Sequence, residues 1–122
     1  MGSNQRGNES EARFVLEAFQ RGWEVCKPFS HSEPYDFLVR RERGRQWETV
    51  QVKTAFPVKG RMQVKLQRGR GGYRIGDFDM LFVVAGRDSY LIPWSAVQHI
   101  RCNFSVETLP GYRLMTAARS TN

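Results

Sequence analysis

Apolar residues at Ala12, Val15, Leu16 and Phe19 recur at spacings of three and four, which gathers them into one stripe on a helix of 3.6 residues per turn. The pattern predicts a helix from Asn8 to Arg21. Asn8 offers a side-chain acceptor to the first turn, Glu11 follows at capping-box spacing, and Gly22 ends the helix. Phe14 and Ala18 fall on the flank of the expected stripe. Residues 1–7 are expected to be a flexible lead.

Beyond Gly22 the period falls to two. Trp23 to Lys27 predicts a short strand, and Pro28 to Pro34 a loop. Two runs, 35–41 and 46–55, read as a hairpin turning on Glu42 to Arg45. Met62, Val64 and Leu66 alternate with polar residues, as a half-exposed strand does. Residues 78–85, Phe-Asp-Met-Leu-Phe-Val-Val-Ala, are the most apolar run and are expected at the sheet centre. Ser89 to Ile92 reads as another strand, and Pro93-Trp94-Ser95 opens a short helix to about Ile100. Tyr112 to Met115 is expected as a last strand and residues 116–122 as a loose tail. With no internal repeat and no long linker, residues 1–122 are expected to form one α/β domain, a central mixed sheet flanked by helices.

Composition narrows the class. At 122 residues, 40% hydrophobic and 25% charged, the chain is long enough for one real core. No apolar run approaches the roughly 20 residues that span a bilayer, so no membrane partner is expected. The first residues, Met1 to Arg6, lack the apolar stretch of a secretory leader. Cys26 and Cys102 stand without metal-site spacing and are expected as buried thiols in a reducing setting. The expected location is cytoplasmic and nucleoid-associated.

The net charge of +7 points to an anionic partner. Residues 59–74 hold Lys59, Arg61, Lys65, Arg68, Arg70 and Arg74 with no acidic residue among them. A second basic cluster, Arg40 to Arg45, lies in the expected hairpin turn. Either cluster alone is accounted for equally well as a solvated surface. Together, flanking the groups described next, they point to the phosphate backbone of DNA.

Asp36 sits in the apolar run Tyr35-Asp36-Phe37-Leu38-Val39, and Gln51 and Lys53 sit in Val50-Gln51-Val52-Lys53. Residues two apart on a strand share a face, so Gln51 and Lys53 point one way while Val50 and Val52 enter the core. An aspartate within a strand is disfavoured and needs a partner if buried. A carboxylate, an amide oxygen and an ammonium facing one spot suit metal-assisted hydrolysis. Plainer accounts stand beside this one: Glu11 as a capping-box residue, Gln51 and Lys53 as solvent-facing residues of an edge strand. His31 and His99 have no partner at ligand spacing, no nucleophile elbow accompanies Ser30, and Gly69 to Gly72 lacks the ending of a P-loop.

In this order, Glu11 on a leading helix, Pro34-Tyr35-Asp36, and Gln51-Val52-Lys53 resemble the PD-(D/E)XK nuclease superfamily. The likeness covers about residues 9–100 and includes the stretch from Tyr73 through Pro93. It is nearest to the resolvase-like core of group I intron homing endonucleases and Holliday-junction resolvases. Two departures are visible: Tyr35 interrupts the Pro-Asp pair, and Gln51 stands at the usual acidic position. Glutamine is found there in the homing branch.

The resemblance implies a restriction-endonuclease-like core and Mg2+ as cofactor, with Mn2+ able to substitute. It implies Asp36, Gln51 and the Val52 carbonyl as metal ligands, Glu11 as a water-mediated or second-metal ligand, and Lys53 orienting the attacking water. The expected activity is cleavage of double-stranded DNA by a homing-type endonuclease. Junction resolution, or DNA binding on a catalytically decayed scaffold, are the alternatives. Since one small site cannot cut both strands, a homodimer or higher symmetric homo-oligomer is expected.

Overall fold

The computed structural model of the chain describes residues 3–30, 32–66 and 76–115. Helix α1 spans Ser3–Gln20, so it begins ahead of the cap expected at Asn8 and takes in residues expected as a lead. No proline lies between Ser3 and Asn8, and Gln5 and Arg6 are good helix formers, so the backbone runs on through the expected cap. The chain leaves the helix at Gly22, whose φ of 76° is open to glycine at little cost. The N–H groups of Gly22 and Trp23 turn back to the carbonyls of Phe19 and Ala18.

The buried face of α1 is not the one its spacing predicts. Ser10, Phe14 and Ala18 are buried, while Val15, Leu16 and Phe19 are 42%, 55% and 81% exposed, and Ala12 is exposed too. Two apolar stripes share this helix, offset by about 100°. Phe14 wins the interior because its ring packs between Phe37 and Phe82, with centroids 5.0 Å from each. Ser10 can follow it inside because Thr54 provides a hydroxyl partner at 2.5 Å. Ser10→Ala is therefore expected to cost about 1 kcal/mol by leaving the Thr54 hydroxyl unpaired. A urea midpoint equal to that of the wild type would show that this pair contributes nothing.

The strands are β1 (Glu24–Cys26), β2 (Phe37–Arg40), β3 (Glu48–Thr54), β4 (Phe56–Val58), β5 (Arg61–Lys65), β6 (Met80–Ala85), β7 (Asp88–Pro93) and β8 (Asn103–Ser105). β1, β2, β3, β6 and β7 form a five-stranded sheet in that order. All its neighbours are antiparallel except β3 and β6, which are parallel. β3 is thus the middle strand, not an edge, and the apolar β6 lies beside it. The parallel pair requires a crossover, and β4 and β5 lie on it. With β8 they make a second, three-stranded sheet that the alternation pattern does not separate from the first.

Each face of the main sheet is covered. On one, α1 packs through Phe14 and Ala18 onto Phe37, Val50, Val52 and Phe82. On the other, Val64 of β5 and Phe104 of β8 pack with Leu81, Val83 and Ile92. Asp79 locks the heads of β3 and β6: its Oδ2 accepts from the Thr49 N–H at 2.8 Å, and its own N–H donates to Thr49 Oγ1 at 2.9 Å.

Three expectations change. Helix α2 covers only Trp94–Val97. The expected strand Tyr112–Met115 is instead a 3₁₀ turn at Pro110–Tyr112 followed by a single bridge from Arg113 to Tyr90. Pro110, which lacks a donor, and Gly111 favour the turn over a ladder. Cys26 and Cys102 are exposed, not buried. Val25 takes the inward position of edge strand β1 and leaves Cys26 outward. Among the described residues, no helix is long and apolar enough to cross a membrane.

Candidate active site

The pleat of β3 sorts its side chains. Val50 and Val52 are buried against α1. Gln51 and Lys53 point to the opposite face, half-buried and in register with Leu81 and Val83 of β6. Phe37 pairs with Val50, so one step earlier Asp36 falls opposite Gln51 on the Gln51–Lys53 face. Asp36 is held at two points. Its N–H donates to the Val50 carbonyl at 2.8 Å, and its Oδ2 accepts the Val52 N–H at 2.8 Å. The carboxylate therefore takes the place of the next rung of the ladder, which is why an aspartate is tolerated at the head of a buried strand.

Three carboxylate-bearing or basic groups act on Asp36. Burial pushes its carboxyl above the ordinary aspartate range, the Val52 N–H opposes that shift, and the charge of Glu11 adds to it. Lys27 and Lys53 draw it back down. Glu11 reaches the site from α1, and its Oε1 accepts from Lys27 Nζ at 2.8 Å. The Lys27 ammonium also lies 4.5 Å from the centre of the Phe37 ring. Glu11, Lys27 and Lys53 thus come within electrostatic reach of Asp36, with Gln51 opposite it.

The sequence pattern of PD-(D/E)XK endonucleases matches residues 1–105. The chain belongs to the PD-(D/E)XK endonuclease family. It is 32% identical over 97 residues to Protein 5.3 of Escherichia phage T7, covering 75% of this chain and 80% of that protein. Its backbone is similar to that of the bacterial homing endonuclease I-Ssp6803I, with a TM-score of 0.75 over 100% of this chain and 84% of the other, at 19% identity. At that identity the likeness establishes the fold, a restriction-endonuclease-like mixed sheet with its helix.

This PD-(D/E)XK endonuclease carries Gln51 where the signature has an acid. Gln51 Nε2 donates to the Val52 carbonyl oxygen at 3.4 Å, so the amide side chain and one expected oxygen ligand are neighbours. The donor set comprises two carboxylates, an amide and a backbone carbonyl, all oxygen, which fits a hard cation such as Mg2+ or Mn2+. It holds little charge: among the described residues, no three His, Cys, Asp or Glu side chains gather as a metal cluster. His99 is exposed, and His31 lies outside the described residues.

The PD-(D/E)XK family name does not mark Lys27, and neither did the sequence pattern. It follows the short strand β1, where its ammonium both lies over Phe37 and pairs with Glu11. Together with Glu33, Tyr35 and Asp36 it lines a notch of about 60 Å³, room for about two waters at roughly 30 Å³ each. A small-molecule pocket is roughly 300 Å³ or more, so the notch suits an ion and a phosphate lying across it. A roomier hollow of about 430 Å³ lies beside Trp23, Arg41 and Glu48. Its lining is charge-paired and contains none of the groups around Asp36.

The two basic clusters behave differently. In the β2–β3 hairpin, Arg40 pairs with Glu24 at 2.6 Å, Arg41 with Glu48 at 2.9 Å and Arg45 with Glu42 at 3.1 Å. Those charges are largely answered within the protein. Lys59, at the β4–β5 turn with φ 50°, and Arg61 and Lys65 on β5 are exposed. Their small sheet packs on the Leu81–Val83 face, the face to which Lys53 points. Arg68, Arg70 and Arg74 lie outside the described residues.

Proposed function

We propose that the protein is a metal-dependent endonuclease of double-stranded DNA, of the homing type. The observation that carries this reading is the placing of Asp36, Gln51 and Lys53 on one face where the β2–β3 ladder ends in a carboxylate. Asp36, Gln51 and the Val52 carbonyl would hold a divalent cation, Mg2+ with Mn2+ able to replace it, and Glu11 would reach it through water. When bound, such a cation supplies Lewis-acid stabilisation of the phosphate and lowers the pKa of a coordinated water.

The chain's own residues do the rest. Lys53 donates to the attacking water and to the phosphate oxygens on which charge develops. Lys27 keeps Glu11 turned toward the site. Lys59, Arg61 and Lys65, joined by Arg68, Arg70 and Arg74, take neighbouring phosphates and make binding salt-dependent. The exposed, shallow notch admits a polymer, and DNA as substrate places the protein in the cytoplasm, at the nucleoid.

The homing type is supported by Gln51 and by the fold shared with a homing endonuclease. The test is incubation of the purified protein with supercoiled plasmid and with a synthetic four-way junction, in Mg2+, in Mn2+ and in chelator. Cation-dependent cutting of duplex at a discrete locus is expected. Cutting of the junction alone would replace the homing reading with a resolvase.

Gln51 also favours a second reading, a DNA-binding protein on a decayed nuclease scaffold, since a neutral ligand weakens a cation site. That reading requires tight, salt-sensitive binding indifferent to Mg2+ and no cutting of either substrate. Gln51→Glu separates the two. It restores a charged oxygen at the same position and is expected to keep cleavage within about tenfold while lowering the cation concentration needed. Total loss of cutting in a folded variant would mean that the amide N–H of Gln51 has a part of its own.

A further inference from the structure

Among the described residues, no large apolar side chain is more exposed than Phe29, at 106%. Its two chain neighbours, Pro28 and Ser30, both line the notch at Asp36, together with Lys27 and Glu33. The backbone under the ring is braced on either side. Lys27 is held to Glu11 at 2.8 Å and lies over Phe37, Pro28 fixes its own φ, and Ser30 Oγ accepts the Ser32 N–H at 3.2 Å. Nor does the ring gain by folding inward, because an ammonium and two carboxylates line the notch beside it.

We propose that Phe29 is a wedge: with a phosphate of the cleaved strand across the notch, its ring enters the base stack beside that phosphate and untwists the duplex there. The position of the phosphate rests on the nuclease reading of Asp36, Gln51 and Lys53. Reach agrees with it. Consecutive Cα atoms lie about 3.8 Å apart, and successive nucleotides of one strand rise about 3.4 Å. A ring one residue from the notch therefore meets the bases of the nearest one or two steps. Apolar side chains inserted at such steps unstack the bases and kink the duplex.

The surroundings select DNA over a protein partner. A protein interface gathers its apolar anchors into a contiguous patch. The described residues nearest Phe29 in the chain are Lys27, Pro28, Ser30, Ser32 and Glu33, which form no such patch. One projecting ring is enough between two stacked bases, whose faces accept an aromatic whatever the sequence. Phe19, by contrast, is 81% exposed within the outer apolar stripe of α1, and neither of its chain neighbours lines the notch. The Phe29 ring carries no charge, so its share of the binding is not salt-dependent, unlike that of Lys59, Arg61 and Lys65.

The test uses the full chain on closed circular plasmid in chelator, where cutting does not intervene. The plasmid is relaxed by a cation-independent topoisomerase with the protein bound, stripped of protein and resolved on a gel. Wild type is expected to leave it negatively supercoiled, and Phe29→Ala, at matched occupancy, to leave it relaxed. Binding of Phe29→Ala to a short labelled duplex is expected to weaken about tenfold, with an unchanged dependence on salt. Phe29→Trp is expected to restore both, and Phe19→Ala to behave as wild type. Wild type that binds without untwisting, untwisting that survives Phe29→Ala, or an equal loss in Phe19→Ala would each overturn the proposal. Plasmid cutting in Mg2+ keeps the two readings apart. Cutting without untwisting removes the wedge and leaves the nuclease, whereas Phe29-dependent untwisting by a protein that never cuts leaves the wedge and removes the nuclease.

Discussion

Asp36→Asn is expected to lower DNA cleavage by about 1000-fold or more while raising the thermal midpoint by a few degrees. Asparagine keeps the shape and an oxygen to accept the Val52 N–H, so the end of the β2–β3 ladder survives. It removes the charge that a cation site requires. The gain in stability follows from the same burial that marks the residue. The folded-state pKa of Asp36 lies above its ordinary 3.8, raised first by burial and then by Glu11.

The native state therefore binds that proton more tightly than the unfolded chain does. As pH rises from near 3.8 through the folded value, wild type loses stability relative to Asp36→Asn. The gap is full above that window and closes below it. Thermal melts of both proteins from acid to neutral pH, beside plasmid cleavage in Mg2+, measure the two effects on one pair of samples. A variant that cuts normally would remove Asp36 from the chemistry. One that melts lower at neutral pH would show that the buried charge is well compensated.

Phe14→Ala is expected to cost about 3–5 kcal/mol, the usual range for emptying a buried aromatic site. Set against a total of roughly 5–15 kcal/mol for a protein of ordinary stability, that leaves a protein close to unfolding. Phe14 is fully buried, and it is the contact through which α1 meets β2 and β6, by way of Phe37 and Phe82. The loss extends to the site, because α1 also carries Glu11, and Phe37 is the ring under Lys27. Phe29→Ala, at a fully exposed position, is expected to change stability by less than about 0.5 kcal/mol. Urea denaturation of the two variants checks the contrast. Similar midpoints would mean that the α1–sheet packing contributes little.

Much of the candidate site was legible before any fold. Alternation in Val50-Gln51-Val52-Lys53 put Gln51 and Lys53 on one face, and the structure keeps them there. An aspartate heading an apolar strand signalled a special position, and its carboxylate does complete the ladder. Lys27 was not legible, because a lysine ending a short strand carries no spacing signal. The pairing of the β2–β3 hairpin arginines was not legible for the same kind of reason: composition shows charge, not which of Glu24, Glu42 and Glu48 each arginine meets.

The amino-acid order alone determined which residues alternate, where glycine and proline interrupt, and which polar groups share a strand face. These depend on backbone geometry that repeats every two or 3.6 residues, whatever lies nearby. Only the tertiary structure decided which of the two apolar stripes of α1 goes inside, that β3 is the central strand, and that Lys27 reaches Glu11. Those outcomes depend on what stands opposite. Phe37 and Phe82 leave a space that the ring of Phe14 fills, and no local periodicity encodes the shape of a space between distant segments.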